Sequence, residues 1–149
     1  MNINLFIGIV ECIERMTTSF KIGYHEAKAA NMIPLLVGYV PEEAKDVPRI
    51  VTVLDTAGGE VDGQLPDQVR KAIQVLARSD VYLTALADSL EIFTAIHGMC
   101  CDPFPAIESG IEYKNMTIDA LSDPGYIGQD ENGWFQFSTN YIWIIKDAV

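Results

Sequence analysis

The residues with the most chemical promise stand in one run, Val53-Leu54-Asp55-Thr56-Ala57-Gly58-Gly59-Glu60. A hydrophobic strand ending in Asp-Thr-Ala-Gly is a pattern with which nucleotide hydrolases hold magnesium and a γ-phosphate. That chemistry also needs a phosphate cradle, Gly-x-x-x-x-Gly-Lys-Ser/Thr, whose backbone amides and lysine meet the phosphate charge. The chain has no Gly-Lys pair and no Asn-Lys-x-Asp segment to read guanine. Without the cradle the run reads as a strand entering a glycine-rich turn over 56–63. A nucleotide-binding enzyme built on Asp55-Thr56-Ala57-Gly58 is the alternative.

A second candidate is His97-x-x-Cys100-Cys101. Imidazole beside thiols suggests a metal or an activated nucleophile. A structural zinc needs four ligands with paired spacing. Only Cys12 and His25 remain, both distant, and neighbouring cysteines chelate poorly. The plainer reading puts His97 at a helix end, where the C-terminal dipole suits its charge, and makes the cysteines apolar fillers. Carboxylates gather at Glu42-Glu43-Asp46 and Asp130-Glu131. Paired acids do general acid–base work, but on turns they read as solvated surface. No catalytic, cofactor-binding or metal-binding set emerges from these residues.

The bulk properties bound the function further. The chain has 149 residues, with 10 basic and 21 acidic side chains and a net charge of −11. Gripping nucleic-acid phosphates takes lysine and arginine in excess, so specific DNA binding is not expected. At this length one domain, 1–149, is expected, with a core large enough to fold without disulfides or metal. An odd count of three cysteines suits a reducing compartment. The run Leu5–Val10 is too short to span a membrane, so a soluble protein made in a cytoplasm is expected.

The element that positions everything else is the last. Trp134–Ile145 is rich in aromatic and β-branched residues and has no Pro or Gly. Alternation puts Phe135, Phe137, Thr139, Tyr141, Trp143 and Ile145 on one face, and Gln136, Ser138 and Asn140 in the middle of the other. Twelve extended residues reach roughly 40 Å, about the width of a whole domain this size, so the strand is expected to be the central rail of the sheet. Asn132-Gly133 before it signals a hairpin, since both residues accept positive φ.

Upstream, residues 2–16 predict a broadly apolar helix, either deep in a core or in an interface. A short helix at His25–Met32 and strands at Leu35–Val40 and Arg49–Asp55 follow, separated by an acidic loop at Pro41–Pro48. Gln68–Arg78 fits a strand or a helix by periodicity alone. Residues 80–97 predict a helix capped by Ser79, with Leu83, Leu86, Leu90, Phe93 and Ile96 or His97 inward and Gly98 as its stop. Ile107–Tyr113 and Met116–Leu121 predict strands, and Ser122-Asp-Pro-Gly125 a break. The fold class expected is α+β: a mostly antiparallel sheet with a long C-terminal hairpin strand, packed by two main helices at about 2–16 and 80–97.

Three of these segments, in order, resemble the minor capsid and tail-terminator proteins of tailed bacteriophages. The first is Pro48–Gly59, ending Leu-Asp-Thr-Ala-Gly-Gly. The second is Pro66–Gly98, with Gln74-Val75-Leu76-Ala77-Arg78-Ser79 and a helix closing on Ala95-Ile96-His97-Gly98. The third is Ile118–Asn140, with Asp130-Glu131-Asn132-Gly133 and Phe137-Ser138-Thr139-Asn140. In that family a strand, a Thr-Gly-Gly turn, a Val-Gln-Val-x-Val-Arg-Ser strand, a helix ending Leu-His-Gly and an Asp-Glu-Asn-Gly hairpin recur. The chain departs from it at Lys71-Ala72, which interrupts the alternation, and at Trp134, where a basic residue is usual. The resemblance tips 68–78 to strand.

The resemblance implies a structural virion protein, not an enzyme, made in the host cytoplasm and built into the tail at the head–tail junction. It implies a ring, a homo-hexamer, that ends the tail tube and meets the head–tail connector proteins, with genomic DNA passing through its channel without specific binding. Another head–tail joining or tube-tip protein is the close alternative. Contact surfaces are expected at Thr56, Gly58 and Gly59 in the glycine-rich loop, at Asp130 and Gly133 in the hairpin turn, and at Gln136, Ser138 and Asn140 on the polar face. The assembly devices expected are exposed strand edges, including that of the long last strand, and the apolar first helix.

Overall fold

The computed structural model describes residues 4–56, 60–61, 68–99 and 113–147. The chain order is α1 (Asn4–Met16), β1 (Phe20–Ile22), α2 (Tyr24–Ala30), β2 (Ile33–Val37), a 3-10 turn at Glu42–Ala44, β3 (Ile50–Asp55) and β4 (Glu60–Val61). It continues with β5 (Gln68–Ser79), α3 (Tyr82–Ile96), β6 (Tyr113–Ala120), β7 (Gly125–Gln129) and β8 (Phe135–Asp147).

The described strands form a single mixed sheet, ordered β1-β2-β3-β5-β8-β6, with β4 on β5 and β7 on β8. Only β1·β2 and β2·β3 are parallel, and the other ladders are antiparallel. This is the α+β class the pattern implies. The long last strand is the rail: β5 pairs with it from Ser79↔Phe135 to Gln68↔Lys146, and β6 and β7 follow one another along its other side. The expectation that β8 also offers an edge is overturned, because both sides of its backbone are taken.

Side-chain alternation decides which face is covered. Phe137, Thr139, Tyr141, Trp143 and Ile145 are buried, as are Ile73, Val75 and Ala77 across the ladder. α1 and α3 lie on this face, giving a core with Ile9, Val10, Ile13, Ile92 and Ile96. Each large apolar side chain fully removed from water adds roughly 1.5–3 kcal/mol. On the opposite face a small second cluster joins Leu36, Ala44 and Ile50, flanked by Tyr24 and Val47.

Several expectations need correction. β1 was not anticipated, because three residues hold too little pattern to read. β2 stops at Val37, where Gly38 turns to φ 80°. In α1, Ile7 and Met16 face outward, so the helix is one-sided. The inward face of α3 is Ala85, Asp88, Ser89, Ile92 and Ile96, while Leu83 and Leu90 are exposed. Small residues let the helix lie close on the sheet, and Asp88 turns inward to meet Arg49. The cap of α3 is Val81 and not Ser79, although the Ser79 hydroxyl accepts the Val81 N–H. Gly98, at φ 82°, does follow the helix end. Residues 107–112 of the expected strand at Ile107–Tyr113 lie outside the described residues.

Candidate functional site

The hairpin before β8 is built by one carboxylate. Asp130 Oδ1 accepts the N–H groups of Asn132 and Trp134, each at 2.9 Å, while Gly133 N–H donates to the Asp130 carbonyl at 2.9 Å. An aspartate that binds its own following backbone mimics a turn and fixes it. Gly133 takes φ 78° and Asn132 does not take positive φ. The loop is therefore a turn closed by one left-handed glycine, not the two-residue form expected from Asn-Gly. Asp130 Oδ2 also stands 3.9 Å from Arg78 Nη1. The Arg78 guanidinium lies 4.7 Å over the Trp134 ring and donates to the Val47 carbonyl at 2.6 Å. Burial lowers the Arg78 pKa from its ordinary value, and Asp130 opposes that shift.

Among the described residues, neither α1 nor α3 packs on the sheet face that begins where this cluster ends. Gln136 sits opposite Arg78, Ser138 opposite Leu76, and Asn140 opposite Gln74. Gln74 Nε2 donates to Ser138 Oγ at 2.7 Å, and Asn140 is exposed. The three polar residues expected on one face are thus brought together as a row, joined by Gln74 from β5. Half-buried Leu54, Leu76, Ile142 and Ile144 lie on the same face.

Thr56 stands at the end of β3, apart from that row. Its N–H and hydroxyl both point to the Ala72 carbonyl, at 3.4 and 3.2 Å. Asp55 beside it receives Lys71 Nζ at 2.6 Å. Both members of the Asp-Thr pair are thus committed to the sheet. Gly58 and Gly59 lie outside the described residues, as do Cys100 and Cys101. His97 does end α3, and its ring turns to the sheet. Its Nδ1 accepts the Ala120 N–H at 3.0 Å, and its ring stacks on Phe93 at 4.8 Å. Among the described residues no group of three His, Cys, Asp or Glu side chains could hold a metal. No described helix is long and apolar enough to cross a membrane.

Two ion pairs escaped the sequence. Arg49 grips Asp88 with two hydrogen bonds, Nε–Oδ2 at 3.0 Å and Nη2–Oδ1 at 2.8 Å, tying β3 to α3. That hydrogen bonding, ahead of the opposing burial, raises the Arg49 pKa. Glu91, one turn along α3, accepts the Ser19 hydroxyl at 2.6 Å. Lys71–Asp55 is the other pair, inside the face that packs the core. An acid amid an apolar helix and a lysine amid an alternating strand were the available signals.

At one end of the sheet, Tyr82 of α3 meets Tyr126, Phe135 and Phe137 at ring distances of 5.3, 5.6 and 5.0 Å. Tyr126 and Tyr82 remain partly exposed there, and their neighbours in sequence Val81, Leu83 and Ile127 are exposed. No expectation covered this patch, since a short strand and a helix start carry no periodic signal.

The described residues thus give a sheet with helices on one face and a polar row on the other. A family model described as bacteriophage tail terminator protein matches residues 21–147. No curated protein matches the chain.

Proposed function

The chain belongs to the bacteriophage tail terminator family, and from that premise we propose that its copies close into a homo-hexameric ring on the end of the tail tube. The family places it among the structural proteins of the phage tail. The ring stops tube polymerisation and presents its far side to the head–tail connector proteins. Genomic DNA passes through the channel without specific binding, and the net charge of −11 suits a lumen from which DNA is repelled. The chain acts as one domain, and its role is assembly and not catalysis.

The observation that carries this reading is the two-faced sheet. Helices α1 and α3 pack one face. The other carries Gln74, Gln136, Ser138 and Asn140 with half-buried aliphatic residues around them. A mixed polar and apolar sheet face of this kind suits a subunit contact. Rings arise when such a contact is head-to-tail and the rotation closes. Ser138, Asn140 and Gln136 serve as contacts between copies, with Thr56, Gly58 and Gly59 reaching a neighbour. Asp130 and Gly133 hold the hairpin that borders the contact.

The test is the mass of the purified protein by light scattering, paired with negative-stain images. The reading expects a closed ring for the natural chain. It expects Asn140→Lys with Ser138→Lys, or Gly58→Val with Gly59→Val, to leave folded subunits that no longer close. A strict monomer, alone and with tube ends, would refute it.

A further inference from the structure

The last turn of α3 passes straight onto the sheet. His97 ends the helix in an extended conformation, φ −64° and ψ 129°, and Gly98 takes φ 82°. Residues 97–99 then bond to the outer side of β6, the side away from β8. Gly98 N–H donates to the Ile118 carbonyl at 2.8 Å, and the Ile118 N–H donates to the Met99 carbonyl at 3.0 Å. The third bond is of another kind. Where a neighbouring strand would offer a carbonyl, the Ala120 N–H donates to Nδ1 of the His97 ring at 3.0 Å.

This bond fixes the state of the ring. A backbone N–H can only donate, so Nδ1 carries no proton and the neutral imidazole keeps its hydrogen on Nε2. The ring is also held in place. It stacks on Phe93, one turn back on α3, at 4.8 Å and 12°. The His97 backbone N–H is taken by the Phe93 carbonyl at 3.0 Å. Nothing nearby offers a second charge to a protonated ring. Phe93 and Ile96 on α3, Met99 after it, and Ile118 and Ala120 on β6 are all uncharged. The acids closest to Ala120 in sequence, Asp119 and Asp123, are exposed. No described acid stands within ion-pair distance of His97.

We propose that His97 is a proton-operated clasp on the β6 margin of the sheet. As a neutral ring it holds the Ala120 N–H. As imidazolium it carries a hydrogen on both nitrogens, so Nδ1–H faces N–H and the bond is lost. Stacking on Phe93 keeps the ring in that opposed position. Imidazole is the side chain whose charge changes between about pH 5 and pH 8. The clasp is therefore shut at neutral pH and opens on mild acidification. Opening bares the Ala120 N–H on a strand margin, the kind of group that another strand can take.

The experiment is amide hydrogen exchange of the full chain by NMR at about pH 7.5 and about pH 5, either side of the imidazole range. Protection factors are compared, so that the intrinsic pH dependence of exchange cancels. The proposal expects protection at Ala120 to fall roughly tenfold in acid, the worth of about one hydrogen bond, while the amides of the central strand β5 keep theirs. His97→Ala removes the acceptor, and is expected to leave Ala120 as poorly protected at both pH values as the natural chain is in acid. His25→Gln leaves His97 as the one imidazole in the chain, and its ring nitrogen shifts at neutral pH are expected to place the hydrogen on Nε2. Unchanged protection at Ala120 in the natural chain overturns the clasp. So does a pH-dependent fall that persists in His97→Ala, a fall shared by β5, or a neutral ring with its hydrogen on Nδ1.

Discussion

Lys71 Nζ lies 2.6 Å from Asp55 Oδ2, and the lysine side chain, 7% exposed, is the more deeply buried of the two. The pair joins β3 to β5 at one end of the core face. Removing one partner leaves a charge without its counterion, which costs 3–5 kcal/mol at fully buried sites. Because Asp55 is partly exposed, Asp55→Ala is expected to cost about 2 kcal/mol. Lys71→Met, which removes the buried charge and keeps the stem, is expected to cost under ~1 kcal/mol. Urea unfolding of both variants measures the asymmetry. Equal losses would mean that the ion pair itself, and not the stranding of a buried charge, carries the stability there.

Arg49–Asp88 ties the residue just before β3 to the middle of α3 through a two-bond fork. Such forks add geometry as well as energy. A double-mutant cycle with Arg49→Met and Asp88→Asn is expected to show a coupling of about 1–2 kcal/mol, within the range for residues in contact. Arg49→Met alone should cost more than Asp88→Asn, since it leaves the buried Asp88 carboxylate without its counterion. A coupling near zero would mean the helix is held by apolar packing alone.

The hairpin turn gives a prediction about its own strain. Nothing lies within 4 Å of the place a Gly133 side chain would occupy, yet its φ is 78°. Gly133→Ala is therefore expected to cost about 1 kcal/mol from backbone conformation alone. Asp130→Ala loses two hydrogen bonds to the turn and is expected to cost about 1–2 kcal/mol. Thermal unfolding checks both values. A loss of ring closure with no loss of stability would instead make these residues contacts.

Tyr141 is 1% exposed, and burial pushes its phenol well above its ordinary value, with Thr139 pulling back only in part. The folded value is raised, so the folded state holds the proton that the unfolded chain releases. Stability is then full below about pH 10 and falls as pH climbs beyond it, by about 1.4 kcal/mol per pH unit. Tyr141→Phe is expected to remove that part of the alkaline slope. Denaturant unfolding between pH 9 and pH 11.5 measures it, and parallel slopes for the two proteins would contradict it.

The strand faces were legible because a period of two leaves a plain record. The alternation of Phe137, Thr139, Tyr141, Trp143 and Ile145 marks the buried face residue for residue. α3 was legible as a helix but not in its orientation. Hydrophobicity favoured Leu83 and Leu90, whereas close packing on a sheet favours Ala85 and Ser89. Asp88 is buried only because Arg49, 39 positions away in sequence, comes to meet it. No local pattern records such a distant partner. Lys71 misled for the same reason: it broke the alternation on paper, and Asp55 restores it in space.

Of the candidate contacts, Gln136, Ser138 and Asn140 were legible as one face because they share a strand. Thr56 follows another strand, and its hydroxyl bond to the Ala72 carbonyl depends on a register that alternation does not set. The contact of Tyr82 with Tyr126 was not legible, since it joins a helix start to a short bulged strand.

The most direct measurement of the tail-terminator account is the length of cognate tail tubes assembled with and without this protein, seen by electron microscopy. The account predicts tubes of one length, each ended by a ring of added density, when the protein is present, and overgrown tubes with bare ends when it is absent. Tubes that grow equally long in both cases, with no density at their tips, would contradict it.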